Sequence, residues 1–581
     1  MFARFGRLLR DVWALARPYW FSDERWSARG LLLLIIVLNL AIVFLNVWFN
    51  DWNRLFFNAL QNYDEAAFIP LLLRFTVLAL IWIACQVYRL WLRQLLQMRW
   101  RRWMTERYIG RWLEARTYYR LQLEGGGTDN PDQRITEDLR DFTANTLILG
   151  IGLMESLVTL VSFAAILWGL SGPLTVPLFG LEIPIPGYML WAALIYCAVG
   201  TGLTQLIGRA LIPLNFARQR VEADFRFSLV RFRENVESVA LYGGEAREKR
   251  SFADRFGRVV ANWWDIMKRT KQVSFFTASF GQIAVIFPFV MMTGRYFSKQ
   301  VELGQLTQTV GAFSQVQSAL SWFVDNYSDI AQWKATVDRL TSFTAGMQQI
   351  EAANAAGPAI EVKPAGGRDI AVHGLDLGLP GGKLLLHRAE LDLRAGESVL
   401  LSGPSGSGKS TLFRAIAGIW PYGTGTVERP PSARLLFLPQ KPYLPIGSLR
   451  EVLSYPAPVE GTTDRAIVEA LGACELPGLA DRLDERAHWA QALSPGEQQR
   501  IAFARALLTK PDWLFLDEAS SALDEGLETR LYQLLPERLP GTTIVSIGHR
   551  PSLRAFHARH VEIRFAEGAW GLHDLALRAA Q

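Results

Sequence analysis

The 581-residue chain is poor in cysteine, with three in all and no CxxC pair among them. Cys85 and Cys197 fall in apolar stretches and Cys474 in a more polar half, so neither a disulfide framework nor a cysteine-based metal site is implied. The N-terminus lacks the pattern of a secretory signal. Arg4, Arg7 and Arg10 surround Leu8, Leu9, Val12 and Trp13 ahead of Pro18, without a longer apolar core or a small-residue cleavage site. It reads instead as an amphipathic helix lying on a membrane surface.

What the chain has in quantity is apolar sequence, half of its residues being hydrophobic. Long apolar blocks run to about residue 325 and short, strand-sized pieces follow after about residue 370, which predicts two parts in two different solvents. Crossing about 30 Å of hydrocarbon takes roughly 20 apolar residues as helix. Leu31 to Phe49, Ile69 to Trp91, Leu147 to Leu170, Tyr188 to Ile207 and Val273 to Phe297 meet that length, and Leu306 to Val324 is a sixth, more polar candidate. Many of the 20 tryptophans stand at the ends of these blocks, where an amphipathic ring rests between acyl tails and headgroups.

The connections after the first and third spans hold a single basic residue, Arg54, whereas 98–142 and 208–271 are crowded with arginine. Basic loops stay in the cytoplasm, so six spans return the chain to the cytoplasmic side before its second half begins. The same rule accounts for the net charge of +6, and nucleic acid is not expected as a partner. The Arg- and Trp-rich stretch 98–122 reads as a helix leaving the bilayer among headgroup phosphates. In the sixth span Gly304, Gln308, Gly311, Gln315 and Ser318 share one helix face. Such a face either lines a wet pathway or packs closely on another helix. Glu155, inside the third span, is open to the same two readings, so Glu155, Gln308, Gln315 and Ser318 are the candidate cargo-pathway residues.

The strongest motif is Gly403, Pro404, Ser405, Gly406, Ser407, Gly408, Lys409, Ser410 and Thr411, set between an apolar strand at 398–401 and a helical run at 412–418. Glycines at these positions let backbone N–H groups point at phosphate oxygens beside a helix N-terminus. Lys409 is expected to reach the β- and γ-phosphates and Ser410 to bind Mg²⁺. The buried-strand run 513–516 delivers Asp517, for the metal, and Glu518, to polarise the attacking water.

From Ile370 to the C-terminus these motifs resemble the nucleotide-binding domain of ATP-binding cassette transporters. Leu493-Ser-Pro-Gly-Glu-Gln-Gln-Arg500 is similar to that family's signature, Gln440 to its Q-loop, Ser521-Ala-Leu-Asp524 to its D-loop and His549 to its switch histidine. The resemblance implies Gln440 as a further Mg²⁺ ligand, His549 beside Glu518 in catalysis, and ATP contacts from Gln440, Ser494, Gly496, Glu497 and Asp524. The signature has Pro495 and Glu497 where the commonest form has Gly and Gln, and Leu379 stands near the position of the usual adenine-stacking aromatic. Across most of 45–340, runs such as DWNRLFFNALQNYD, DNPDQRITEDLRDF and ALSWFVDNY resemble the SbmA/BacA-like bacterial transporters, with peroxisomal acyl-CoA half-transporters more distant.

The implied architecture is an α-helical polytopic membrane domain of six spans, exporter-like, at 1–345, a linker at 346–369 and an α/β P-loop ATPase domain at 370–581. The implied function is ATP-driven transport by a homodimer in the bacterial cytoplasmic membrane, with ATP and Mg²⁺ as cofactors and the lipid bilayer as surroundings. The cassettes lie in the cytoplasm, and Asp129 to Phe142 is the expected coupling region. Bulky hydrophilic cargo moving inward, such as peptides or cobalamin-like compounds, is the leading expectation. Export or transport of acyl-CoA or lipid-like molecules is the alternative, and a regulatory membrane-anchored ATPase a third.

Overall fold

A segment in lipid must close its backbone hydrogen bonds on itself. The computed structural model, which describes residues 2–124, 130–178, 181–355, 360–566 and 569–575, turns each apolar block into a long helix. These are α1 (Phe2–Trp20), α2 (Arg25–Gln61), α3 (Glu65–Leu113), α4 (Thr117–Leu123) and α5 (Pro131–Gln133). A π-turn at Arg134–Asp138 leads into α6 (Leu139–Ser171), a hairpin of β1 (Pro173–Leu178) and β2 (Leu181–Pro186), and α7 (Tyr188–Gly208). Then come α8 (Leu211–Glu234), α9 (Val236–Tyr242), α10 (Glu245–Phe297), α11 (Leu303–Asp325) and α12 (Tyr327–Ala355). Five stretches, carried by α2, α3, α6, α7 and α10, are long and apolar enough to cross a membrane. The sixth expected span is α11, more polar and held among α2, α6, α7 and α10.

The chain divides into two compact units, residues 1–110 with 129–344, and residues 111–128 with 345–581. In the first, Phe163, Tyr188, Met292 and Phe313 are buried in one apolar cluster. Leu8, Leu15, Ala16 and Tyr19 bury one face of α1 while Leu9 and Trp13 stay exposed. Of the region expected to couple the two halves, Asp129 lies outside the described residues, and 130–142 fold with the first unit. The arginine-rich stretch just before it, from Arg111, folds with the second unit instead. Residues 346–369, read as a linker, contain the end of α12, with Met347 and Ile350 buried, and β3 (Ile360–Pro364), which pairs with β7; 356–359 lie outside the described residues.

The second unit carries β3, β4 (Ile370–Gly378), β5 (Leu384–Leu393), β6 (Val399–Ser402), α13 (Lys409–Ile416), β7 (Gly423–Arg429) and β8 (Leu435–Leu438). After these come β9 (Gly447–Ser448), α14 (Leu449–Ser454), α15 (Asp464–Ala473), β10 (Arg486–Ala487), α16 (Trp489–Ala492), α17 (Pro495–Thr509), β11 (Trp513–Asp517) and α18 (Glu525–Arg538). The chain closes with β12 (Thr543–Ile547), β13 (Arg559–Ala566) and β14 (Ala569–Leu575). The large sheet has the order β3-β7-β4-β5-β14-β13-β6-β12-β11-β8. Its β6, β12, β11 and β8 run parallel. β11 and β12 are buried along nearly their whole length, as strands covered on both faces must be.

Candidate functional site

The register of the parallel strands builds the site. Leu401 lies opposite Ile547, Ile547 opposite Asp517, and Leu438 opposite Leu516. Residues just past those ends, Gly403, Gln440, Asp517, Glu518 and His549, therefore gather at one edge, where open α/β sheets bind ligands.

Gly408, at φ 97°, turns the chain into α13, and Gly403, at φ 150°, runs so close to Ile563 that a Cβ would lie 2.9 Å from its carbonyl. Side chains are excluded from both positions by backbone geometry. Lys409 is buried and donates to the carbonyls of Gly403 and Pro404, both at 2.8 Å, and burial pushes its ammonium pKa down. The buried Ser407 hydroxyl has no partner among the described residues. Ser410 donates to Asp517 at 2.9 Å; burial raises the Asp517 pKa, against the pull of that bond. Pro404, Ser405 and Gly406 form the exposed crest of the loop, and Thr411 is buried in the first turn of α13.

Glu518 has φ 49°, a left-handed conformation uncommon for a residue with a side chain. Its N–H donates to Ile547 O at 3.1 Å, which fixes the turn. Gln440 Nε2 donates to one carboxylate oxygen at 3.2 Å, and His549 Nε2 lies 3.2 Å from the other. Five of the expected residues, Gln440, Ser410, Asp517, Glu518 and His549, thus form two short polar chains beside Lys409.

The signature residues are engaged at helix starts. Ser494 caps α17 in a capping box with Glu497, whose carboxylate accepts from Ser494 N at 2.8 Å and Oγ at 2.7 Å and is held below its ordinary pKa by these bonds. Pro495 takes the first helical position, where its missing N–H costs nothing. Gly496 abuts Ala522 of the D-loop. Asp524 caps α18 by accepting from Leu527 N at 2.9 Å. Leu379 is partly buried against the apolar cluster behind α13.

Sequence reading missed the residues that tie these loops together. Gln499 donates to Gln440 O at 2.9 Å and Ser521 Oγ at 3.1 Å and accepts from Ala522 N at 2.9 Å, joining signature helix, Q-loop and D-loop. Arg550, next to His549, donates to Leu523 O at 2.8 Å and pairs with buried Glu528 at 3.3 Å. The only sequence signal was adjacency to residues already singled out.

The segment 111–124 folds onto this unit. Arg116 donates to Gly418 O at 3.3 Å, Arg111 pairs with Glu351 at 2.9 Å, and Leu123 packs on the apolar cluster behind α13. A cavity of about 620 Å³ bounded by Arg116, Tyr119, Phe413 and Arg414 reaches Ser410 and Asp517.

In the first unit a cavity of about 540 Å³ opens between α7, α10 and α11. Its α11 wall joins Ser314, Gln317, Ser318, Ser321 and Asp325 to Val310 and Val324, and Thr201, Thr204 and Thr277 line it from α7 and α10 together with apolar residues such as Phe280 and Val285. Of the four candidate cargo-pathway residues only Ser318 lines it. Gln308 is buried, its main-chain carbonyl accepting from Asn50 Nδ2 at 3.0 Å, and a Cβ at Gly304 would strike the α2 backbone, while one at Gly311 would meet the Asn50 side chain. Gln315 is half-buried on the same face. Glu155 pairs with Arg89 at 2.7 Å, and Arg89 also donates to Asn39. Small residues let α2 and α11 approach, and a carboxylate in an apolar bundle takes a cation.

The chain matches two family profiles, "ABC transporter transmembrane region 2" over residues 15–297 and "ABC transporter" over 386–521. It is 36% identical to an uncharacterised ABC transporter ATP-binding protein of Haemophilus influenzae, over 98% of this chain and 94% of that one. Identity is 33% to the inner membrane ABC transporter ATP-binding protein YddA of Escherichia coli, over 94% and 96%. It is 28% to the mouse lysosomal cobalamin transporter ABCD4, over 90% and 89%. Among solved structures, a bacterial Atm1-family ABC exporter with ATP bound shares the fold, with a TM-score of 0.64, 18% identity and 95% of each chain covered.

Proposed function

The chain belongs to the ABC transporter family, and on that premise we propose that two copies, in a bacterial cytoplasmic membrane, use ATP hydrolysed at Glu518 to move bulky hydrophilic cargo inward. The ATP hydrolase activity belongs to the family's ATPase domain. What supports its assignment to these residues is the convergence of Gln440 and His549 on the Glu518 carboxylate, beside Lys409, Ser410 and Asp517.

The chemistry follows from that arrangement. Lys409, once ATP is bound, exchanges its loop carbonyls for phosphate oxygens, and the free Ser407 hydroxyl is available as a donor. Phosphoryl transfer needs little covalent help and much positioning. Glu518 accepts hydrogen bonding from the attacking water and aligns it, while His549 holds the carboxylate and can donate to a phosphate oxygen. Ser410 Oγ, the Asp517 carboxylate and the Gln440 amide oxygen are hard oxygen donors that fit Mg²⁺. Bound there, Mg²⁺ would offset the charge of the phosphates.

Two observations favour a second copy of the chain as partner. Ser494 and Asp524 cap their own helices, and the start of α17 at Gly496 is a helix N-terminus of the kind that meets a phosphate presented from elsewhere. The α9 tip exposes Val236, Leu241 and Tyr242, apolar residues that call for a covering surface. For cargo, the hydroxyl- and amide-rich wall of the α7–α10–α11 cavity favours a hydrogen-bonding solute over a lipid tail. The relative that carries cobalamin and the SbmA/BacA-like runs point to peptide- or cobalamin-like molecules, and the latter to uptake. The test is accumulation of labelled cobalamin, and separately of a labelled proline-rich peptide, in bacteria lacking their own uptake systems. Accumulation is expected with the wild type and not with Glu518→Gln at matched expression; equal accumulation in both would refute the proposal.

A further inference from the structure

At the start of the membrane unit α1, α2, α3 and α6 enclose a groove of about 490 Å³, a volume typical of small-ligand sites, which span roughly 300–1,000 Å³. Its walls are apolar: Trp13 and Ala16 of α1, Leu32 and Ile36 of α2, Gly150 and Met154 of α6. The one hydroxyl in the lining, that of Thr146, already accepts from Trp333 Nε1 at 2.9 Å. Apart from Arg29, the other polar groups of the lining are indole N–H groups, among them that of Trp100, which is buried and has no partner among the described residues.

The mouth of the groove is different. Two guanidiniums lie over the Phe21 ring, Arg29 at 4.9 Å and Arg17 at 5.8 Å from its centroid. Arg29 also donates to Trp20 O at 2.9 Å. Among the described residues neither arginine pairs with a carboxylate; Glu24 nearby is taken by Arg102 at 3.1 Å. Residues 1–29 hold six arginines against Asp11, Asp23 and Glu24, so the end of the groove is positive. Two cations brought together on one ring repel each other unless an anion lies between or beside them. Trp13, Trp20 and Trp26 on the same stretch mark the depth at which tails meet headgroups.

We propose that this groove is a site for an anionic glycerophospholipid of the surrounding bilayer, one acyl chain lying between α1, α2 and α6 and the phosphate resting against Arg17 and Arg29. A mostly apolar trough with two guanidiniums near one end, neither paired with a carboxylate among the described residues, matches an anionic amphiphile better than a zwitterion or a free anion. Bidentate guanidinium–phosphate pairing holds the headgroup, and the lipid ties the amphipathic α1 to the spans behind it.

The experiment is native mass spectrometry of the purified full-length protein after equilibration with vesicles of equimolar phosphatidylglycerol and phosphatidylcholine. The wild type is expected to retain phosphatidylglycerol with a preference of about tenfold, from two arginines near an anionic surface. Arg17→Gln with Arg29→Gln removes the preference. Gly150→Leu, whose Cβ enters open space, fills the trough and lowers retention of both lipids. Arg258→Gln, an exposed arginine on α10, changes neither, and elution as a single species in detergent shows that each variant is folded. Equal retention of the two lipids by the wild type, or an unchanged preference in the double variant, would overturn the proposal; retention of phosphatidylcholine alone would do the same.

Discussion

His557 shows at the scale of one residue how burial writes itself into pH dependence. Its Nδ1 lies 2.7 Å from Leu553 O and its Nε2 2.8 Å from Ser546 Oγ, and burial lowers its pKa from the ordinary value of about 6.5. As pH falls through that value the unfolded chain takes up a proton that the folded one refuses, so stability drops toward acid. The melting temperature of the wild type is expected to fall more steeply between pH 7.5 and 5.5 than that of His557→Gln; parallel slopes would remove His557 from the account. Glu518 is the opposite kind of residue, exposed enough to react and held by backbone strain rather than burial. Its expected role was read from its place after a buried strand, and His549's from the resemblance to the cassette family. That of Gln499 was not read, because a glutamine in the middle of a helix looks like any solvated polar residue until the loops it touches are placed.

Elements bind these residues into a unit. Gln499 on α17 makes three hydrogen bonds to the Q-loop and D-loop, so Gln499→Ala is expected to lower kcat about tenfold, with KM for ATP nearly unchanged, through misplacement of catalytic groups. A change in KM alone would place Gln499 in binding instead. In the membrane unit, the face of α11 that bears Gly304 lies against Arg54 and Asn58 of α2. Gly304→Leu overpacks that contact and is expected to cost about 1–3 kcal/mol or more, read as a lower melting temperature in detergent; unaltered melting would mean the helices are not in close contact. Here the sequence pattern was readable and its meaning was not. The spacing of Gly304, Gln308, Gly311 and Gln315 defines a face, but small residues suit close packing and a wet lining equally. The cavity took the neighbouring face, with Ser314, Gln317 and Ser321, whose hydroxyl and amide groups had no contrast with the rest of the helix. The stretch 98–122 was read as a helix among headgroups because arginine and tryptophan serve a membrane interface, and in its later part Arg116 donates to Gly418 O within the second unit.

For the whole molecule, composition alone separated the long apolar helices of the first half from the strand-sized pieces of the second, and strand-then-loop signals pointed to Lys409, Asp517 and Glu518. What composition could not supply was the register of four parallel strands that brings Gln440, Asp517, Glu518 and His549 together from distant parts of the chain. The apolar α9 tip points beyond a single copy. The central claim, that Glu518 aligns the water for ATP hydrolysis while Lys409 and its loop hold the nucleotide, is tested most directly by steady-state ATP hydrolysis and equilibrium ATP binding of the wild type and Glu518→Gln in one reconstituted preparation. The account predicts a loss of about 100-fold or more in kcat with ATP affinity retained. Full hydrolysis by Glu518→Gln would contradict it.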